Sequence, residues 1–197
     1  MLDSHFRRIV QPFFDAMADG LVKIGITPEK ATYIALAAGI LGAISLLTGV
    51  KAAPVFLLWL SGFFDVMDGT IARKTGASST YGAFLDIVFD RIVEGAYITA
   101  VAVMSPSSRL YLVILSMAVI LSMTVFLTAG SVITVKTEKT FYYQAGLAER
   151  TEGFVFLTLM VLFPGAVSFI ATLFAACVFI TAYQRFSEVK RHLKINA

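Results

Sequence analysis

Long apolar blocks alternate with short polar stretches along this chain, and the first block differs from the rest. Phe6, Ile9, Val10, Phe13, Phe14, Met17 and Leu21 recur at helical spacing, while Arg7, Arg8, Gln11, Asp15 and Asp19 lie largely off that stripe. The pattern predicts an amphipathic helix lying in a membrane interface over residues 1–26, with Pro12 as a point of kinking. Gly25 to Pro28 breaks it, and Thr27-Pro28-Glu29 starts a new helix, with Thr as N-cap and Pro in the first turn. Apolar spans are then expected at Ala31–Val50, at Ala52–Phe64 continued through an acidic motif to Ala72, at Tyr81–Met104 and at Leu110–Ile133. The uncharged run from Gly153 to Gln184 is too long for one crossing of about 20 residues. Pro164-Gly165 divides it into two. The expected fold is an all-α integral membrane protein, with six transmembrane helices over residues 27–197 preceded by the interfacial helix.

Composition agrees. The chain is 58% hydrophobic and 15% charged, where a soluble domain carries about 25% charged residues, and its mean hydropathy is +0.82. A single cysteine, Cys177, excludes an internal disulfide. Charges at Asp3, Arg7, Arg8, Asp15 and Asp19 argue against a cleavable signal peptide at the start. The net charge of +3 reads as basic residues flanking a membrane, with no nucleic-acid footprint. Their distribution sets an orientation. With six spans, one face receives Arg7, Arg8, Lys23, Lys30, Arg73, Lys74, Lys136, Lys139, Arg150, Arg185, Lys190, Arg191 and Lys194. The other has Lys51 and Arg109, and Arg91 lies within a span. The bias places both termini, and the acidic ends of spans two and three, in the cytoplasm.

The acids are the unusual feature. Asp65, Asp68, Asp86 and Asp90 sit inside stretches that otherwise resemble membrane spans. A carboxylate at bilayer depth costs about 2.5–3.5 kcal/mol on insertion scales, and intramembrane acids mark functional sites. Asp65 and Asp68 are three apart and Asp86 and Asp90 four apart, so each pair shares a helix face. A short loop joins the two spans, which are therefore expected as antiparallel neighbours whose carboxylates converge. Oxygen-only ligands suit Mg²⁺, Mn²⁺ or Ca²⁺ rather than zinc, and four of them can hold one or two ions. Gly69 and Gly82 let a ligand approach the backbone. Arg73 is a planar donor suited to a diphosphate, and Ser79 and Thr80 add hydroxyls. Cation, carboxylates and arginine beside a membrane describe phosphoryl-group transfer. The competing reading is a cation-coupled transporter that uses the same acids as a relay, although a carrier has no need of Gly69, Arg73 and Gly82 at those offsets.

The full string is Asp65-x2-Asp68-Gly69-x2-Ala72-Arg73-x8-Gly82-x3-Asp86-x3-Asp90. It resembles, position for position, the signature of the CDP-alcohol phosphotransferases, membrane enzymes of phospholipid synthesis. The likeness extends over most of the chain, through the amphipathic start, Thr27-Pro28 and six spans. It implies a CDP-linked lipid donor such as CDP-diacylglycerol, a small alcohol acceptor, and a phospholipid and CMP as products. It also implies a homodimer and Mg²⁺ or Mn²⁺ on Asp65, Asp68, Asp86 and Asp90, with Asp86 and Asp90 in the catalytic centre. Asp90 would be the general base on the acceptor hydroxyl, and Gly69, Arg73, Ser79 and Gly82 would bind the CDP part.

The acceptor side is more individual. Gly130-Ser131 followed by Glu138, and Gln184-Arg185 ending the last span, resemble the branch that uses inositol phosphate. That branch carries Glu-Arg-Pro-Glu-Arg before span five. This chain has Glu149-Arg150-Thr151-Glu152-Gly153, with Gly153 in place of the second arginine and Thr134 in place of a lysine. The stretch from Phe141 to Glu152 is closer to a bacterial inner-membrane subgroup. Ser131, Lys136, Arg150 and Arg185 are the candidate contacts for an anionic acceptor such as a sugar or polyol phosphate. As cations at the cytoplasmic face, Lys136, Arg150 and Arg185 can equally be topology anchors. Glu94 is expected to pair with Arg91 or Arg73 rather than to ligate metal.

Overall fold

The structure, a computed structural model, describes residues 2–132, 147 and 150–195, with side chains over 11–132, at 147 and over 150–191. Seven α-helices make up almost all of it: α1 (Leu2–Lys23), α2 (Pro28–Leu46), α3 (Ala52–Thr75), α4 (Thr80–Met104), α5 (Arg109–Val132), α6 (Arg150–Leu162) and α7 (Val167–Ile195). Short 3-10 turns at Pro106–Ser108 and Pro164–Ala166 lead into α5 and α7. No strand occurs among the described residues. Segments Pro28–Leu46, Ala52–Thr75, Pro106–Val132 and Pro164–Arg191 are long and apolar enough to cross a membrane. Helix α4 is long enough but carries Asp86, Asp90, Arg91 and Glu94, and α6 has 13 residues. The chain divides into two compact units, α1–α4 and the helices from α5 onward.

Local sequence chemistry accounts for the helix ends. Thr27, in extended backbone, accepts a hydrogen bond on Oγ1 from the Lys30 N–H at 3.3 Å, and Pro28 opens α2 where its missing N–H costs nothing. Gly76 closes α3 in the left-handed conformation, φ +66°, which a side chain would resist. Pro12 does not interrupt α1, and Pro164 separates α6 from α7 as its position in the uncharged run predicts.

In the first unit α2 packs against both α3 and α4, whereas α3 and α4 make little direct contact. This revises the expectation that the two acidic spans are immediate neighbours. The reason is the composition of the buried face of α2: Ala31, Thr32, Ala35, Ala38, Gly39, Gly42, Ala43 and Leu46. Lipid is as apolar as leucine, so helices in a bilayer associate through close van der Waals packing, and small residues permit it. A Cβ on Gly39 would stand 2.5 Å from Val93 Cγ2 of α4 and 3.1 Å from Ser61 Oγ of α3. A Cβ on Gly42 would overlap the Tyr97 hydroxyl and stand 3.0 Å from Leu57 Cβ. Tyr97 is fully buried, and its hydroxyl donates to the Pro54 carbonyl at 2.6 Å, joining α4 to α3.

Helix α1 packs on α3. Ala18 joins Ala31, Met67 and Ile71 in a buried cluster flanked by Phe14, Leu21, Ile26, Phe63 and Phe64. Lys74, in the last turn of α3, donates to the Asp15 carbonyl at 2.9 Å and pairs with the Asp19 carboxylate at 2.5 Å. Phe13 and Met17 remain exposed. In the second unit α5 and α6 pack against α7, with Phe156 and Phe174 stacked at 4.7 Å and the Ser108 and Ser168 hydroxyls 2.9 Å apart.

A methyl at Gly42 must push the Tyr97 ring or spread α2 from α4. Gly42→Ala is therefore expected to cost about 1–3 kcal/mol, the usual range for overpacking. Gly95→Ala, on α4 with no atom within 4 Å of the new methyl, is expected to leave stability unchanged or slightly raised. Melting followed by far-UV circular dichroism in detergent checks both, and equal melting temperatures would contradict the packing account.

Candidate metal and phosphate site

Asp65 and Asp68 lie on consecutive turns of α3 and are buried, each 8% exposed, while Asp86 on α4 is half-buried. One carboxylate oxygen from each of the three falls within 4.8 Å of the others. At that separation each like-charged pair repels by about 3–4 kcal/mol at an effective dielectric of about 20. Three hard oxygen donors this close fit a divalent cation of the Mg²⁺, Mn²⁺ or Ca²⁺ type. Thr32 of α2 donates from Oγ1 to Asp68 Oδ2 at 2.7 Å.

Asp90 stands one turn beyond Asp86 on α4 and is not one of this group of three. Its Oδ2 lies 3.9 Å from Arg91 Nη2, and Arg91 Nη1 also donates to Glu94. Glu94 thus pairs with Arg91, as its spacing suggests. Arg73 lies at the exposed end of α3, where Nη2 donates to Thr70 Oγ1 at 3.1 Å. Its Nη1 would be 3.2 Å from a Cβ on Gly69, so the guanidinium lies alongside that glycine. Ser79 has a structural task that spacing alone does not show. Its Oγ accepts the Gly82 N–H at 2.9 Å and caps the start of α4, and a Cβ on Gly82 would stand 3.2 Å from the same oxygen.

The proposed acceptor contacts belong to the second unit. Ser131 is exposed in the last turn of α5 and donates to the Thr128 carbonyl at 2.8 Å. Arg150 opens α6. Arg185 of α7 reaches Ser122 Oγ of α5 at 3.4 Å and lies 5.0 Å from the centre of the Phe126 ring, a cation–π geometry. Lys136, Thr134, Glu138 and Glu149 lie outside the described residues. Sequence reasoning passed over Thr32, Ser122 and Phe126. A hydroxyl or ring within an apolar span carries no signal until the fold shows what it touches.

The family model for CDP-alcohol phosphatidyltransferase matches residues 25–183, and the chain belongs to that family. Among its relatives, the phosphatidylinositol phosphate synthase of Mycobacterium marinum is 38% identical over 92 residues, which are 46% of this chain and 38% of that enzyme. Inner membrane protein YnjF of Escherichia coli is 28% identical over 192 residues, 94% of this chain and 93% of that protein. The chain thus spans less than half the length of the mycobacterial relatives it matches, while the Escherichia coli protein is matched almost end to end. The crystal structure of Mycobacterium tuberculosis phosphatidylinositol phosphate synthase (PgsA1) with CDP-DAG bound superposes with a TM-score of 0.74 at 25% identity, covering 89% of this chain and 92% of that one. The same enzyme in complex with manganese and citrate also gives 0.74 at 25% identity, covering 89% and 88%.

Ligand that binds only the folded state at 100 times its Kd stabilises it by about 2.7 kcal/mol. Mn²⁺ in such excess is expected to raise the melting temperature of the wild type, and Asp86→Asn to lose most of that shift. Differential scanning fluorimetry with and without EDTA makes the comparison. A full Mn²⁺ shift in the variant would remove Asp86 from the cation site.

Proposed function

We propose that this protein is a divalent-cation-dependent phosphatidyltransferase, moving the phosphatidyl group of a CDP-diacylglycerol-like donor onto the hydroxyl of a small polar alcohol and releasing CMP. The observation that carries the reading is the group of three carboxylates inside an intact family signature. The two structural neighbours with CDP-DAG and with manganese support it. Asp65, Asp68 and Asp86, with Asp90 beside them, would hold Mg²⁺ or Mn²⁺. When bound, the cation neutralises charge on the donor diphosphate. Arg73 orients that diphosphate through its planar fork, and Gly69 leaves the space beside it. Gly82 and Ser79, at the start of α4, would contact the CDP part. Asp90 accepts the proton of the acceptor hydroxyl as its oxygen bonds to the lipid-side phosphorus. The bond from that phosphorus to the bridging oxygen breaks, and CMP leaves with that oxygen. Ser131, Lys136, Arg150 and Arg185 would receive the acceptor, phosphorylated or not.

The proposal includes a membrane arrangement. Residues 27–197 form a six-span catalytic domain, with α4 and α6 completing the four strongly apolar segments. The polar side chains of α4 would be sheltered by the ligand site rather than lipid. Residues 1–26 form the interfacial amphipathic helix. Its exposed Phe13 and Met17 would enter the lipid, while Asp15 and Asp19 hold Lys74. Both termini and the site face the cytoplasm, by the distribution of basic residues, and the unit is a homodimer by resemblance to the family.

An acceptor screen tests the activity. Purified protein receives CDP-diacylglycerol, Mg²⁺ or Mn²⁺, and in turn glycerol phosphate, inositol phosphate, serine or a free polyol, with CMP as the readout. CMP is expected with at least one acceptor, absent in EDTA, and lowered about 10²–10⁴-fold by Asp90→Asn, the usual worth of a general base. Cation-driven solute flux across sealed vesicles with no CMP would replace the transferase with a carrier. Metal-dependent binding of the CDP-lipid without turnover would leave an inactive scaffold.

A further inference from the structure

We propose that Thr32 is a positioning residue for the cation site: delivered from α2, outside the acidic signature, its hydroxyl orients the Asp68 carboxylate. The inference rests on the cation-binding reading above and adds a residue to it.

Thr32 is 4% exposed and Asp68 is 8% exposed. Thr32 Oγ1 lies 2.7 Å from Asp68 Oδ2 and 3.0 Å from the carbonyl of Pro28. A hydroxyl has one proton to donate. A helical threonine ordinarily gives it to the carbonyl four residues back, which here is Pro28. The shorter contact runs instead to the carboxylate, and a charge-assisted hydrogen bond is about twice as strong as a neutral one. The proton therefore belongs to Asp68 whenever that group is ionised, the state a cation requires. The hydrogen bond thus fixes one acceptor position of a carboxylate that also places an oxygen within 4.8 Å of oxygens of Asp65 and Asp86. Side chains that orient ligating carboxylates in this way typically change metal affinity 10–100-fold when removed. Because α2 also packs against α3 and α4, this hydroxyl sits on the element that sets their separation.

Detergent-solubilised protein titrated with Mn²⁺, with free Mn²⁺ read by electron paramagnetic resonance, tests the idea without turnover. Thr32→Val keeps the shape and removes the hydroxyl, and is expected to weaken Mn²⁺ binding 10–100-fold. Thr32→Ala gives the same weakening without a second methyl and serves where Val fails to fold. Thr32→Ser retains binding within about threefold of wild type, well short of the loss expected on removing the hydroxyl. CMP release by Thr32→Val recovers as Mn²⁺ is raised past its new Kd, with KM for the CDP-lipid unchanged. Wild-type Mn²⁺ affinity in both Val and Ala variants overturns the proposal, as does a Ser variant as weak as they are. Wild-type protein that binds no Mn²⁺ removes the cation site itself, an outcome distinct from equal binding by all forms.

Discussion

Mutual repulsion among three carboxylates, with oxygens within 4.8 Å inside otherwise apolar helices, is the constraint around which the first helical unit is built. Left to themselves these like charges would separate. Their assembly is held largely by the packing of α3 and α4 on the small face of α2, at a distance set by glycine and alanine. Val93, Tyr97, Leu57 and Ser61 fill the space that a side chain at Gly39 or Gly42 would need, and no hydrophobic drive is available in lipid to substitute for that contact.

Seen this way α2 has two tasks. Its small face is the surface against which both acidic helices pack, and its single buried hydroxyl meets one of the acids. The backbones of α3 and α4 stay apart, and their side chains meet at the carboxylates and at the Tyr97–Pro54 hydrogen bond. Arg73 lies over Gly69 at the exposed end of α3, and Ser79 and Gly82 begin α4. Helix α1 braces the same end of α3 through Lys74 and the cluster around Ala18. In the proposed arrangement this ties the helix at the lipid surface to the helix that carries Asp65 and Asp68.

Membership of the CDP-alcohol phosphatidyltransferase family and the superposition on a phosphatidylinositol phosphate synthase agree with this architecture. The family match runs through both units, from residue 25 to residue 183. The acids, glycines and arginine of the signature all lie in the first unit. In the second unit, Gly153 packs near the Phe174 ring, with 3.6 Å to an added Cβ. Arg185 is engaged with Ser122 and Phe126. The alignment with an Escherichia coli inner membrane protein likewise takes in both units, covering 94% of this chain.

Helix positions were legible in the residues because they depend on local quantities: runs of apolar side chains, the Thr27-Pro28 start, the break at Pro164, and polar punctuation between spans. The chemistry of the site was legible too, since a carboxylate in an apolar span is costly wherever it folds, and the three- and four-residue spacings place each pair on one helix face. What the one-dimensional pattern could not hold was which helix stands between which. The small face of α2 reads as a featureless apolar run, and only packing reveals it as the shared partner of α3 and α4. For the same reason Thr32, Ser122 and Phe126 were silent, and the cap that Ser79 places on α4 could not be read from spacing. Distances between residues far apart in the chain are decided by side-chain volume in three dimensions, which hydropathy along the chain does not encode.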